Sequence, residues 1–317
     1  MSKLFVTHTQ PHQADEVAAL VALRIIYPDA KIVRTRDTQV LSSMALAPDT
    51  FLLDVGGQYD AANLMFDHHQ PDGAGFRRPE TGEWPYATAG LIWKHYGAQV
   101  VKTLHSELTA ADCQEVAAYI DEYLMKFLDA VDCGVRIKSA GPSLSAIIAS
   151  FNSSWHDDTE ADPFPLILDL AQVVLTNFIR RYAGKILARE RVRNSRISKC
   201  GKILHLDICL PWSDVVSREM PEILLVTYPV SNKRDGASQW QIRTAVNANM
   251  TPRIRLPQAW GGHDGQALVR LTSQPDAIFC HRSRHLAGAY SFDAVLALAD
   301  IAVQTHEESL APVLLAA

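Results

Sequence analysis

The sequence has no pair of cysteines at metal-binding spacing: its five, Cys113, Cys133, Cys200, Cys209 and Cys280, are scattered without a Cys-x-x-Cys. An odd, dispersed set argues against a disulfide framework and a cysteine-built zinc site, and for reduced thiols. No stretch approaches the roughly 20 apolar residues of a membrane span. Met1-Ser2-Lys3 leads straight into a short strand-like segment without the apolar region of a signal peptide. A cytoplasmic location with no membrane partner is therefore expected. Positive charge is not in excess either: 30 Lys and Arg against 35 Asp and Glu leave a net charge of -5. No global field recruits a polyanion, so such a substrate needs local basic residues or metal ions. Repeats and low-complexity tracts are absent, and the 12 histidines form no run of the kind a metal buffer needs.

At 317 residues, 48% hydrophobic and 21% charged, the chain is long enough for two cores, since single cores stop growing at roughly 250–300 residues. Leu4-Phe5-Val6-Thr7 reads as a strand. A helix follows from about Asp15, with Val17, Leu20, Val21, Leu23 and Ile25 spaced for burial. Lys31-Ile32-Val33-Arg34 reads as a strand, 38–45 as a short helix, and Phe51-Leu52-Leu53-Asp54-Val55 as a strand broken at Gly56-Gly57. Further helical patterns cover 88–96, 108–131 and 164–193. This alternation predicts an α/β domain built on a doubly wound, mostly parallel sheet, whose working edge is at the carboxyl ends of the strands. After Gly201 the character changes to strands at 203–206, 223–228, 240–246 and a final one at 278–281. A turn-rich segment covers 231–238 and a helix 291–304. These predict a smaller α+β carboxyl-terminal domain, giving domains 1–198 and 199–317.

Asp67-His68-His69, after the apolar run Leu64-Met65-Phe66, offers a carboxylate and two imidazoles from adjacent positions that leave a strand end in different directions. In isolation such a tripeptide more often belongs to a solvated loop than to a metal site. His8, His12 and Asp15 fill one loop entering a helix, where Asp15 reads as a ligand or as that helix's cap. Asp54, between Phe51-Leu52-Leu53 and Gly56-Gly57, is expected to be partly buried and to need a partner, a divalent metal or a turn. Asp129 and Asp132 end an apolar helix before Gly134, where they oppose the macrodipole. They call for a neighbouring positive charge such as a metal, or stand exposed at a frayed end. Imidazole with carboxylate suits manganese, cobalt, iron or zinc better than calcium. Two such ions bridged by a carboxylate, Asp54 or Asp67, hydrolyse phosphoesters. The basic run Arg180, Arg181, Lys185, Arg189, Arg191 and Arg193 reads as a solvated helix face or a nucleic-acid surface.

Taken in order, His8…Asp15, Asp54-Val55-Gly56-Gly57, Phe66-Asp67-His68-His69-Gln70 and Asp129-Ala130-Val131-Asp132-Cys133-Gly134 resemble the DHH phosphoesterase superfamily. With Ile32 to Asp37, Ala89 to Trp93, Ser150 to Trp155, Pro211-Trp212, Leu256 to Trp260 and Ile278 to His281, they resemble more narrowly the melanocyte-proliferating-gene (Myg-type) family over nearly the whole chain. That family consists of metal-dependent hydrolases, and its best-known eukaryotic member is a 3′-to-5′ RNA exonuclease. The resemblance implies metal ligands at His8, Asp15, Asp54, Asp67, His68 and Asp132, with Asp54 bridging and Asp67 ligating or orienting its neighbours. Asp54, His68 and His69 would be catalytic, with His69 facing the substrate phosphate. Arg253, Arg255, His281, His285 and Gly288 would grip substrate. Two manganese ions are implied, with magnesium, cobalt or zinc as substitutes. The implied reaction is exonucleolytic cleavage of RNA or short oligonucleotides threaded between two domains, in a monomer or a homodimer. The alternatives are a small-molecule or cyclic-dinucleotide phosphohydrolase, or a metal-stabilised binding protein without turnover. The chain departs from the family pattern at three places. His12 stands three residues before Asp15 where the family has two, Cys133 replaces the asparagine of Asp-Asn-Gly, and Arg282 to Gly288 replaces a Ser-Gly-Phe-type stretch.

Overall fold

The computed structural model of the chain describes residues 3–138, 140–156, 161–231 and 238–314; the centre of the turn-rich segment expected at 231–238 lies outside them. Two compact units are formed, Met1–Ala183 and Gly184–Ala317, and both mix helices with sheet.

In the first unit, short runs of β-branched and aromatic residues form β1 (Leu4–Thr7), β2 (Lys31–Arg34), β3 (Thr50–Leu53), β4 (Tyr59–Asp60) and β5 (Met65–Phe66). They join in the order β2-β1-β3-β5-β4. Neighbours are parallel except for the antiparallel edge pair β4 and β5. Between strands run α1 (Ala14–Ile26) and α2 (Thr38–Ala45). Asp37 caps α2 by accepting from the N–H groups of Gln39 and Val40, as an aspartate before a helix should. Strand alternation divides the core. Val6 and Leu52 face α2 through Leu41 and Met44. On the opposite face, Phe5, Phe51, Phe66 and Tyr96 pack edge-on or stacked at centroid separations of 5.5–6.2 Å. Helices therefore cover both faces of a mostly parallel sheet.

A hairpin of β6 (Phe76–Arg78) and β7 (Glu83–Pro85) leads to α3 (Thr88–Leu104), which packs on α1. Next come α4 (Ala110–Ile120), a π-helical turn at Asp121–Met125, α5 (Lys126–Asp132), α6 (Leu144–Ala149) and the long α7 (Phe164–Arg193). The division between units falls within α7 rather than in the loop near residue 198.

The second unit contains β8 (Arg196–Ile197), β9 (Ile203–His205), α8 (Ser213–Glu219), β10 (Leu225–Ser231), β11 (Ser238–Thr244), α9 (Gly265–Thr272), β12 (Ala277–Cys280), β13 (Leu286–Ala289) and α10 (Phe292–Leu314). The sheet order is β12-β13-β11-β10-β9-β8, antiparallel except between β9 and β10. Alternate residues bury against α9 and α10 on one face, through Ile203, Leu225 and Ile242, and against α8 and the end of α7 on the other, through Leu204 and Val226.

Two expectations need correcting. The strand at Phe51 stops at Leu53, because Asp54 adopts a left-handed conformation with φ 58°. The strand at 278–281 is not the last, since Leu286–Ala289 forms β13. Its small residues carry little β propensity. It pairs because Gly288 leaves room for the Phe279 ring, whose Cε1 would lie 2.7 Å from a Cβ at that position. Among the described residues, no helix is long and apolar enough to cross a membrane.

Candidate metal centre

The adjacent strands β1, β3 and β5 end at Thr7, Leu53 and Phe66, so His8, Asp54 and Asp67 each follow a carboxyl end on the same edge. The sheet's winding reverses between β1 and β3, which is where ligands enter open α/β sheets. Asp54 keeps its N–H on the carbonyl of Phe66 at 3.0 Å. Its left-handed backbone, a conformation costing about 1 kcal/mol or more outside glycine, begins the turn at the edge. His8, Asp15, Asp54, Asp67 and Asp129 are all buried.

His8 sets the logic of the site. Its Nδ1 lies 2.5 Å from the carbonyl oxygen of Thr9, which can only accept, so Nδ1 carries the proton. That leaves Nε2 of the neutral ring with a lone pair, 3.1 Å from Asp54 Oδ2. Two acceptors facing each other in a buried site require a cation between them, a proton or a metal. Holding Nδ1–H on a carbonyl is also how proteins orient a metal-binding imidazole. Burial would lower the His8 pKa, but Asp54 and Glu16 reverse this and raise it. Without a metal, the proton takes that place.

His68 completes the centre. Its Nε2 is 2.9 Å from Asp132 Oδ2, 3.3 Å from Asp54 Oδ1 and 3.9 Å from Asp15 Oδ2. Nevertheless, His68 Nε2 and Asp54 Oδ1 are both buried without an aligned hydrogen bond. Burial would lower the His68 pKa, but the surrounding carboxylates hold it far above the usual imidazole range. Asp54 shows the reverse: burial alone would raise it, and the two imidazoles pull it well below the usual carboxylate range. Among the described residues, three groups of donor atoms gather within ligating reach: Asp54 with His68 and His69, His8 with Glu16 and Asp54, and Asp15 with His68 and Asp132. Asp54 belongs to two of them and His68 to two. Orphaned buried atoms and a mixed imidazole and carboxylate donor set fit divalent transition metals.

The other expected residues divide by what they touch. Asp15 does not cap its own helix. Its carboxylate accepts the N–H groups of Thr88 and Ala89 at 2.8 and 2.7 Å, capping α3. Burial, then the Asp54 charge, raises its pKa well above the usual value. Asp67 lies outside all three groups, and its oxygens are occupied. Oδ2 accepts from Gly57 N–H, and Oδ1 from the N–H groups of His68 and His69 and from His69 Nδ1 at 2.7 Å. Its geometry orients the two histidines. His69 is 60% exposed in its side chain, with Nδ1 engaged by Asp67. His12 stacks on Phe164 at 5.4 Å and has its backbone clamped by Asn152, and it joins no group.

Asp129 was expected to call for a metal; its countercharge is Arg77, at 2.7 Å. Its Oδ1 also accepts the N–H of Gly90 at 2.8 Å. A Cβ at Gly90 would lie 1.8 Å from Asp129 Oδ2, so only glycine fits there. Asp132 alone of that pair faces the centre, with Gln13 Nε2 donating to its Oδ1 at 2.9 Å.

Sequence reasoning missed Glu16, Gln13, Arg77, Gly90 and the contact of Cys133 Sγ with His68 Nδ1 at 3.7 Å. Glu16 follows Asp15 directly, which was its one visible signal; burial pushes its pKa up to about 8, opposed by His8.

The expected substrate residues of the second unit are placed differently. Arg255, His281 and His285 gather around Ser283 in the β12–β13 loop, with Ser283 Oγ 2.7 Å from His281 Nδ1 and 2.6 Å from His285 Nδ1. Arg253 is a fastener: its guanidinium donates to the carbonyls of Val216, Ser217, Met220 and Ile223 and to Asn247 Oδ1. That uses every donor an arginine has. Along α7, Lys185 pairs with Asp214, Arg191 with Asp207 and Arg193 with Glu219, so at least half of the basic run is neutralised locally.

Against known proteins, the family model MYG1_exonuc, described as "Uncharacterised protein family (UPF0160)", matches residues 4–303. The MYG1 protein C694.04c of Schizosaccharomyces pombe is 30% identical over 321 residues, covering 92% of this chain and 95% of that protein. The MYG1 exonuclease of Homo sapiens is 28% identical, covering 92% of this chain and 84% of that protein. The solved pGpG-specific phosphodiesterase PggH of Vibrio cholerae aligns over 96% of this chain and 99% of its own, at 14% identity and a TM-score of 0.27, too slight a likeness to argue from.

Proposed function

The chain belongs to the MYG1_exonuc family, and from that premise we propose that it is a metal-dependent phosphoesterase that trims RNA or short oligonucleotides from the 3′ end. The observation that carries the chemistry is the convergence of buried His8, Asp15 and Asp54 with half-buried His68 and Asp132 at one edge of the sheet, where Asp54 Oδ1 and His68 Nε2 are buried atoms left unpartnered. The exonuclease reading rests on the family and on the name of its human relative.

Two divalent ions would be held by these five residues, with Asp54 serving both and Glu16 available beside His8; manganese, magnesium, cobalt or zinc suits the donors. When bound, they supply positive charge to phosphate oxygens and acidify water. The chain's own groups do the rest. Thr9 and Asp67 fix the tautomers of His8 and His69. With Nδ1–H on Asp67, the exposed His69 ring has Nε2 left that, when protonated, would donate to a phosphate oxygen or hand a proton to the leaving oxygen. Burial of Asp54 keeps water from competing for its ligand atoms.

The test is a manganese-dependent screen of the wild-type protein and Asp54→Asn on end-labelled RNA, single-stranded DNA, dinucleotides and pyrophosphate. Stepwise loss of 3′ nucleotides from RNA, reduced to background in the folded variant, is expected. An absence of RNA cleavage by metal-loaded wild-type protein, or full activity in Asp54→Asn, contradicts the proposal.

A further inference from the structure

The second unit contains a cavity of about 490 Å3 that none of the preceding chemistry uses. Its size is within the range of small-molecule sites. Every lining residue belongs to Gly184–Ala317. Trp240 and Phe292 form an aromatic wall, with ring centroids 4.5 Å apart. Arg196 lies over Phe292 at 5.4 Å from its centroid and, among the described residues, has no carboxylate partner. Arg191 also lines the cavity, but Asp207 beside it neutralises its charge. His205 is 9% exposed. Its Nδ1 is 2.8 Å from Thr227 Oγ1, and its Nε2 has no hydrogen-bond partner among the described residues. Burial, then the charge of Arg196, lowers the His205 pKa, so the ring is neutral at physiological pH and offers a hydrogen bond rather than a charge.

These features specify a ligand. A half-buried aromatic wall that lines a cavity takes a planar ring, and base-on-aromatic stacking contributes about 1–3 kcal/mol. A single unpaired guanidinium takes one phosphate. A neutral buried imidazole nitrogen takes an edge hydrogen bond. We propose that this cavity binds a nucleotide, its base against Trp240 and Phe292 and its phosphate at Arg196. The chemistry is the same for a nucleotide within a strand and for a free mononucleotide. The first source rests on the exonuclease reading; the second does not.

The test measures binding of AMP, adenosine and inorganic phosphate to the full chain by calorimetry with chelator present, followed by competition with a short single-stranded RNA. The variants are Arg196→Gln and Trp240→Leu, each checked for a wild-type melting temperature, and Asp54→Asn. AMP should bind more tightly than either fragment. Arg196→Gln should weaken AMP by about tenfold while leaving adenosine unchanged, and Asp54→Asn should bind as wild type does. Competition by RNA assigns the site to a strand, and its absence to a free nucleotide; either supports a nucleotide site. No AMP binding up to millimolar concentration, or unchanged binding in folded Arg196→Gln, overturns it. Failure of the catalytic reading would show separately, as an inactive wild-type enzyme that still binds AMP.

Discussion

At the scale of single residues, the site is a set of protons placed so that lone pairs converge. Cys133 is the weak point, since a thiol 3.7 Å from His68 Nδ1 holds that ring less firmly than an amide oxygen would. Cys133→Asn should fix the Nδ1–H tautomer and tighten manganese binding several-fold, because groups behind metal-ligating histidines typically change affinity by about 10–100-fold. Calorimetric titration measures this, and unchanged or weaker affinity contradicts it. Gly90→Ala places a methyl on the Asp129 and Arg77 pair. Overpacking combined with a disturbed buried ion pair should cost about 3 kcal/mol or more, visible as a lowered Tm; an unchanged Tm refutes the packing. Glu16 carries a pH signature. Its folded pKa, about 8 against an ordinary 4.5, means the folded state binds more protons than the unfolded one between those values. Its contribution therefore erodes stability as pH rises through that window. Metal-free wild-type protein should melt several degrees lower at pH 8 than at pH 6, and Glu16→Gln should flatten the slope. An equal slope in both would exclude Glu16 as the cause.

At the scale of elements, the amino terminus of α3 ties the site to the fold. Three of its first N–H groups, those of Thr88, Ala89 and Gly90, end on the buried carboxylates of Asp15 and Asp129, answering donors that a helix leaves unpaired. Asp15→Ala should remove this cap, worth about 1 kcal/mol, and speed amide exchange at Thr88 and Ala89 about five- to tenfold even without metal. Unchanged protection there would mean that Asp15 is a ligand only. Much of this level was legible in the sequence. β1, β2, α2 and α7 stand where periodicity puts them, because each pairs a clean apolar pattern with strong breakers. The strand end before Asp67 was legible and is β5, whereas the two-residue strand β4 and the helices α6, α8 and α9 were not anticipated, being too short to show a period. β13 was hidden because Leu-Ala-Gly-Ala has no strand-like pattern and depends on Phe279 for its place. The motif residues were visible for the opposite reason: carboxylates and imidazoles at strand ends have no packing role to disguise them. Their partners, Arg77 to Asp129 and Asp15 to α3, depend on contacts between residues far apart in sequence, which one chain read linearly does not reveal.

At the scale of the molecule, every candidate metal ligand lies in the first unit and the nucleotide cavity lies in the second. Chelation should therefore accelerate hydrogen exchange in Met1–Ala183, most at the ends of β1 and β3 and the start of α3. Gly184–Ala317 should be little changed, and uniform acceleration across both units would contradict this division. The unit boundary also places the candidate metal-binding edge in one core, so added manganese should raise Tm in the wild type more than in Asp54→Asn by mass action. Whether Asp54, His68 and Asp132 together hold a metal ion decides the chemistry of the first unit. Anomalous scattering from manganese-soaked crystals tests it most directly. Manganese is expected within about 2.0–2.3 Å of Asp54, His68 and Asp132; ordered side chains with no metal between them, or manganese bound only elsewhere, would contradict a metal centre there.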